Sequence, residues 1–416
     1  MKQTNKTTPL RFLSLLLVAI FSFSSIAHGR ESMPKTKFDM DTGLAYKLEH
    51  NDNIFLGKRK DNDFISTISP SLHLEYNNIN RQLSATAGYS LDIVSYKDYH
   101  ENNYTVNTPY LSIHYRTPFN LYGDFDNTYI HTADPYGTLE HYGEGRKTRR
   151  SSNKANFKIG YDISGRLAIE GLYNNQYRWF DDEIDKWKNR ERNIFGLQLI
   201  NRLTPKTSFI LKYTEESNNY IKQNKGVDGW NSKTSQDNIK KDYLTGFSVD
   251  PRGKINGLLT LGYETIKFEN KVNKNSNPYS DMGTWTAEID IHYQIKTKTE
   301  LSLILDRKIR PTDISGTLSY TDTSLRIGYD QALMRSFLIS FDTGIAIWDY
   351  DMDDGPALPE QKYNLFHASM EIDYSIKKWL SALIRYEYKT REATKAAYNK
   401  RDYTNNIISL SIASTF

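Results

Sequence analysis

His367 and Ser369 are the two residues whose types and spacing could do nucleophilic chemistry. Two positions apart on an extended strand, they share a face, and a histidine there can accept the proton of a serine hydroxyl. Same-face neighbours on a strand also meet by chance, so the pair alone is a weak sign of catalysis. A second candidate is the acidic run Asp349, Asp351, Asp353, Asp354 with Gly355 behind it. A calcium loop wants glycine at its sixth position and glutamate at its twelfth. Counted from Asp349 these positions hold Asp354 and Glu360, so the glycine requirement fails and the run reads as a solvated loop. The chain has no cysteine, which removes disulfides and thiolate metal sites. No catalytic set, metal site or cofactor is expected.

A longer series of ionisable residues is more informative, because it alternates with apolar ones. It comprises Lys47, Glu49, His73, Glu75, His114, Asp124, Lys212, Glu288, Asp290, His292, Arg326, Asp342, Glu371, Arg385 and Glu387. Between these charges fall Leu44, Tyr46 and Leu48, then Ile68, Leu72, Leu74 and Tyr76. Trp285, Ala287, Ile289, Ile291 and Tyr293 follow later, and Phe366, Ala368, Met370, Ile372 and Tyr374 later still. A period of two with one apolar and one polar face marks a strand. About 18 such segments are expected from about residue 39 onward, each roughly 9–12 residues long, near the span of a tilted membrane strand.

The links between segments alternate in length. Residues 164–166, 204–206, 294–297 and 375–378 make short links, whereas 131–150, 216–240, 267–282 and 350–361 make long polar ones. That asymmetry predicts a transmembrane antiparallel up-and-down β-barrel with long loops outside the cell. An even strand number would put both termini in the periplasm. Aromatic residues recur where alternate strands end, at Tyr76, Tyr115, Tyr161, Tyr293, Tyr329, Tyr374 and Phe416. Recurrence at one depth is what an interfacial girdle requires. A mean hydropathy of −0.66 excludes helical spans yet suits a barrel, since only alternate residues face lipid.

The chain ends on an alternating strand closed by Phe416, which resembles the terminal signal read by the barrel-insertion machinery. At the other end, Lys2, Lys6 and Arg11 precede an apolar run and the small residues Ser25 and Ala27, the pattern of a secretory leader. The expected organisation is a signal peptide over 1–27, a short periplasmic segment over 28–38 and a single outer-membrane barrel over 39–416. Cleavage is expected after Ala27 or Gly29. Removing the leader leaves 51 bases against 50 acids, so nothing points to nucleic acid.

In such a barrel the charged series lines the lumen. Outer-membrane phospholipases use a Ser–His pair, but their surrounding motif is absent around His367. Mixed signs along the wall argue against a strong ion filter. Cross-strand pairing and a selectivity surface are both open readings of that wall.

The segment from His50-Asn-Asp-Asn53-Ile-Phe55 through Asp61-Asn-Asp63-Phe64-Ile65 to Ser69-Pro70-Ser-Leu72 resembles the opening of the β-barrel porin-2 family. The resemblance spans roughly residues 44 to 76, and the remainder matches only in architecture. It implies an outer-membrane barrel of the kind encoded with exopolysaccharide or capsule export systems. The family has no agreed catalytic residues, so none is carried over. The expected function is a channel assisting export or assembly of an extracellular polysaccharide. A diffusion porin and a surface adhesin using the long loops are the alternatives. Expected partners are outer-membrane lipid and lipopolysaccharide, the insertion machinery, polysaccharide and periplasmic export proteins.

Overall fold

The computed structural model describes residues 37–78, 82–133, 147–226, 231–249, 253–272, 276, 279–311, 317–352 and 361–416. The leader, its cleavage site and the part of the acidic run from Asp353 onward lie outside the described residues. The chain divides into Met1–Thr36 and Lys37–Phe416, and the second unit is the barrel.

Its strands are β1 (Lys37–Asn51), β2 (Asp63–Asn77), β3 (Leu83–Tyr96), β4 (Tyr104–Arg116), β5 (Leu121–Thr132), β6 (Arg150–Asp162), β7 (Leu167–Phe180), β8 (Arg190–Thr204) and β9 (Thr207–Asn219). They continue as β10 (Asn238–Val249), β11 (Ile255–Phe268), β12 (Met282–Lys296), β13 (Thr299–Pro311), β14 (Thr317–Met334), β15 (Phe337–Met352), β16 (Gln361–Lys377), β17 (Leu380–Ala393) and β18 (Tyr403–Thr415). Each pairs antiparallel with its sequence neighbours, and β1 pairs with β18 from Gly43↔Thr415 to Asn51↔Ile407. The sheet of 18 strands is therefore closed and has no free edge.

The strands run 12 to 18 residues, longer than the expected 9–12. Pairing continues past the membrane span at the end that carries the long loops. In β14 the residues in line with lipid-facing Leu325, namely Ser319, Thr321 and Thr323, are polar, so no apolar stripe betrays this stretch in the sequence.

The outer face is set by the large apolar side chains left exposed. Leu197, Leu261, Ile345 and Ile384 are each more than half exposed, as lipid-facing residues are when no lipid covers them. Tyrosines bound this band at the loop end, where their hydroxyls donate to polar groups beyond it. Tyr89 donates to Asn107 at 2.6 Å, Tyr173 to Asn193 at 2.8 Å and Tyr386 to Asn406 at 2.8 Å. At the other end stand Tyr115, Tyr161, Tyr293, Tyr374 and Phe416, all exposed. On β12 the band runs from Trp285 to Tyr293. Eight steps of about 3.4 Å, tilted about 40°, span about 21 Å, close to the apolar height such barrels need.

The two ends are built differently. Links of two residues join β8 to β9, β12 to β13, β14 to β15 and β16 to β17, each with a register shift beside the turn. At the loop end, five hairpins share a device. The residue just before the descending strand turns its side-chain oxygen onto an N–H where the ascending strand stops. Asn103 receives Tyr96 N–H, Asn189 receives Phe180, Asp237 receives Tyr220, Asp281 receives Phe268 and Asp402 receives Ala393, at 2.6 to 3.2 Å. Each satisfies a backbone donor that the ladder has abandoned.

Beyond Ala287↔Arg307 the β12–β13 ladder stops, and β13 runs on without that neighbour. Side chains two and three strands away fill the gap. Glu264 accepts the Ile309 N–H, and Lys240 donates to the Ile309 carbonyl at 3.1 Å while pairing with Glu264 at 2.8 Å. At the seam, Phe416 N–H donates to Thr42 O at 2.8 Å and its ring stacks on Trp379 with centroids 5.9 Å apart.

Candidate functional site

Strand parity gives the barrel an inner face opposite the exposed apolar set. Its ionisable residues are not scattered singly. On β14 to β17 they form one network. Arg326 pairs with Asp342 at 2.5 Å, and Asp342 meets His367 Nδ1 at 3.2 Å. His367 Nε2 reaches Glu387 at 3.4 Å, and Glu387 also holds Lys389 at 2.9 Å and Arg385 at 3.5 Å. Arg385 turns its other nitrogen to Glu371 at 3.8 Å. Register explains the grouping, since Gly344↔His367, Ser369↔Glu387 and Glu371↔Arg385 sit side by side. Both ring nitrogens of His367 are thus committed to carboxylates. Neither is left for the Ser369 hydroxyl, and the geometry of a nucleophile and base is not assembled.

The other predicted positions form smaller groups. Lys47 pairs with Glu49 at 2.9 Å, His73 meets the Tyr110 hydroxyl at 2.6 Å, and Glu75 accepts from Asn77. Asp124 is shared by His114 and Lys158, the latter at 2.6 Å. His292 bridges Asp290 at 3.1 Å and Glu300 at 2.8 Å. Glu288 faces Thr260 and Asp306 in register, and Lys212 stands on β9 with no ion-pair partner among the described residues. Asp349 lies within β15 and approaches Lys362 at 3.4 Å, so the acidic run begins in a strand and not in a cation-binding loop. Among the described residues no group of three His, Asp or Glu is placed to hold a metal ion.

Several inner-face residues were not singled out from the sequence. Arg192–Glu216 at 2.5 Å, Arg310–Asp322 at 2.7 Å and Lys308–Asp306 at 2.5 Å extend the paired wall through β8 to β14. Continuing the alternation through those strands would have found them. Around the wall most carboxylates thus have a cation within reach, while Arg326 at 56% and His114 at 45% exposure border open space. Charges solvated by a wet lumen and neutralised pairwise make the wall polar without making it strongly selective.

The inner face at the loop end is closed differently. Tyr320, Trp348, Tyr350 and Tyr363 pack into a buried cluster, and Arg391 lies over the rings of Tyr363 and Tyr403 at 5.1 and 5.2 Å. In the β1–β2 loop, Ile54 packs on Ile65, Val94 and Tyr96. The residues that carried the family resemblance pin that loop. Asn53, fully buried, donates to Gly57 O and to Thr404 O on β18, both at 2.8 Å. Asp63, also fully buried, accepts the N–H groups of Phe64 at 2.7 Å, Asp98 at 3.0 Å and Tyr99 at 3.1 Å. Asp52 takes the Asn406 N–H and side-chain amide and the Lys60 ammonium, each at 2.7 Å. The motif is therefore the staple of the β1–β18 seam.

Asp52 carries a pH dependence. Burial raises its pKa, but the bonds from Lys60 and Asn406 outweigh burial and hold the carboxyl below the ordinary 3.8. A depressed native pKa gives stability that is present above the unfolded value and is lost as pH falls through the native one. Acid titration of the unfolding midpoint should show a loss below about pH 4 that Asp52→Asn removes. An unchanged acid limb in that variant would separate the seam from this carboxylate.

Solved structures align with most of the chain at very low identity. OpdK, an outer membrane protein from Pseudomonas aeruginosa, aligns over 91% of this chain and 99% of its own at 10% identity and a TM-score of 0.48. A loop-deleted OmpT of Vibrio cholerae aligns over 92% and 100% at 8% identity and 0.41. A bacterial polysaccharide outer membrane secretin aligns over 91% and 98% at 8% identity and 0.37. No curated protein matches the chain. Residues 37–416 match the family model described as "Putative beta-barrel porin 2", and the chain belongs to that family, a porin-like β-barrel of the outer membrane.

Proposed function

We propose that this barrel is a conduit through which an extracellular polysaccharide crosses, or is assembled at, the outer membrane. The observation that carries the reading is the paired inner wall. Its carboxylates are matched by lysine, arginine or histidine over most of the circumference, as at Asp124, Glu216, Asp322, Asp342 and Glu387. Most of what remains to meet a solute is neutralised pairs, amides and hydroxyls. That surface exchanges hydrogen bonds with sugar hydroxyls at little cost and gives no strong field to strip or trap a bare ion. In this reading the two-residue turns and both termini lie in the periplasm, where export proteins would meet them. The tyrosine bands meet lipid and lipopolysaccharide, and the strand ending in Phe416 is the segment the insertion machinery reads.

An in-frame deletion should reduce surface or secreted polysaccharide several-fold while polymer still accumulates inside the cell. Quantifying capsular and released polymer against intracellular polymer checks it. Unchanged polysaccharide with slowed uptake of a small polar solute would make the barrel a diffusion porin instead. Lost surface adhesion with both processes intact would favour the loops as the working part.

A further inference from the structure

The four two-residue links at the short-turn end are Pro205-Lys206, Thr297-Lys298, Arg335-Ser336 and Lys378-Trp379, and each holds one base and no acid. Lys296 and Lys377 stand just before two of them. The three links from β12 to β17 thus gather Lys296, Lys298, Arg335, Lys377 and Lys378, all exposed. None of the five has an ion-pair partner among the described residues.

The register shifts beside these links decide where the strand-end bases point. Gln294↔Glu300 is followed by Lys296↔Thr299, so Ile295 is an extra residue. The bulge brings Lys296 onto the face of Thr299 and Leu301, which is the lipid face. In the same way Ser375↔Ser381 is followed by Lys377↔Leu380, with Ile376 as the extra residue. Lys377 Nζ accordingly stands 5.6 Å from the ring centre of Trp379, which also stacks on Phe416. Between these two links Ala332↔Leu338 gives way to Met334↔Phe337, and Met334 is left 68% exposed beside Arg335. Every link of the arc therefore pairs a base with an exposed apolar residue. The nearest carboxylates, those of Glu300, Asp330 and Asp373, follow strand parity into the lumen, and His292 holds Glu300 there at 2.8 Å. No acid occupies the lipid face of β12 to β17 at this end. At the loop end, by contrast, the outward lysines Lys241 and Lys362 are matched by Glu215 at 3.2 Å and Asp349 at 3.4 Å.

We propose that this rim from β12 to β17 is a docking arc for anionic phospholipid headgroups. Each base meets a phosphate, while the apolar residue beside it sinks among the acyl chains. Neighbouring links lie two strands apart, about 10 Å along the rim, so each takes its own headgroup and no two links share a phosphate. The same pairing repeated on three consecutive links, just beyond Tyr293 and Tyr374, matches a plane of headgroups. A polymer entering the lumen would need no apolar residue at each link. The inference is independent of what the lumen carries.

The test uses the purified full barrel in phosphatidylcholine vesicles with increasing fractions of a lipid brominated high on its acyl chains, either phosphatidylglycerol or phosphatidylcholine. Trp379 is the reporter, its signal taken as the difference from the Trp379→Phe variant. Brominated phosphatidylglycerol should half-quench Trp379 at about fivefold lower fraction than brominated phosphatidylcholine, the factor one base near an anionic surface supplies. The quadruple variant Lys296→Gln, Lys298→Gln, Lys377→Gln, Lys378→Gln should be quenched equally by both. Lys212→Gln removes a charge from the lumen and should keep the preference. Should the quadruple variant fail to insert, Lys377→Gln alone and the wild type in 1 M salt should each lose most of the preference, since such salt shortens the reach of exposed charges to about 3 Å. Equal quenching in the wild type overturns the proposal and leaves the arc to a partner that is not lipid. A preference that survives the quadruple variant, or that Lys212→Gln also removes, overturns it too.

Discussion

Asp63→Ala should destabilise the barrel by on the order of 3–5 kcal/mol, although the residue touches neither lipid nor lumen. Its carboxylate is fully buried and serves the N–H groups of Phe64, Asp98 and Tyr99. Alanine leaves three donors in a place that water does not reach, and each unsatisfied buried donor costs roughly 1–3 kcal/mol. Asp63→Asn keeps one acceptor oxygen, enough for Phe64 and Asp98, but turns an amide towards Tyr99. It should cost roughly half as much. Urea unfolding in lipid vesicles, followed by tryptophan fluorescence, gives both values. A loss below about 1 kcal/mol for the alanine variant would mean that the β1–β2 loop is not held from this point.

Leu325→Arg should cost roughly 2–4 kcal/mol, whereas Arg326→Leu, one residue on, should stay within about 1 kcal/mol. Leu325 pairs with Leu305 and Ile345 in the middle of the apolar band, four residues from Tyr329 at its edge. An arginine there faces hydrocarbon. Arg326 points into the lumen, is 56% exposed, and its pairing with Asp342 is screened by water. Its loss removes a positive charge from the wall and should shift ion selectivity towards cations in a bilayer recording. The same unfolding measurement ranks the two. The opposite order would put the strand one residue out of register, with the faces exchanged.

The alternation made the strands, their number and their two faces readable from the chain. The contrast Trp285, Ala287, Ile289, Ile291 against Thr286, Glu288, Asp290, His292 is a direct imprint of lipid on one side and water on the other. The imprint fades where lipid ends. At Ser319, Thr321 and Thr323 the face that carries lipid-facing Leu325 has turned polar, so this pairing left no apolar stripe and the strands came out too short. Who pairs with whom was also hidden. Asp124 meets Lys158 and Arg192 meets Glu216 because of the stagger between neighbouring strands, which no local pattern encodes. The Asp-Asn-aromatic segment was visible as a likeness but mute about its task. Asn53 and Asp52 act on Thr404 and Asn406, some 350 positions away.

The side-chain oxygens that close the loop-end hairpins have a consequence for how such a surface changes over time. Tyr96 is tied to Asn103, Phe268 to Asp281 and Ala393 to Asp402, so each hairpin is finished by the two residues at its base. The chain strung between them is asked for little in return, and lengthening it costs only slowly growing closure entropy. The crown of long loops is therefore mounted on sockets. The sockets let its sequence turn over, by substitution or by insertion of foreign peptide for display, without the pairing beneath having to be solved again.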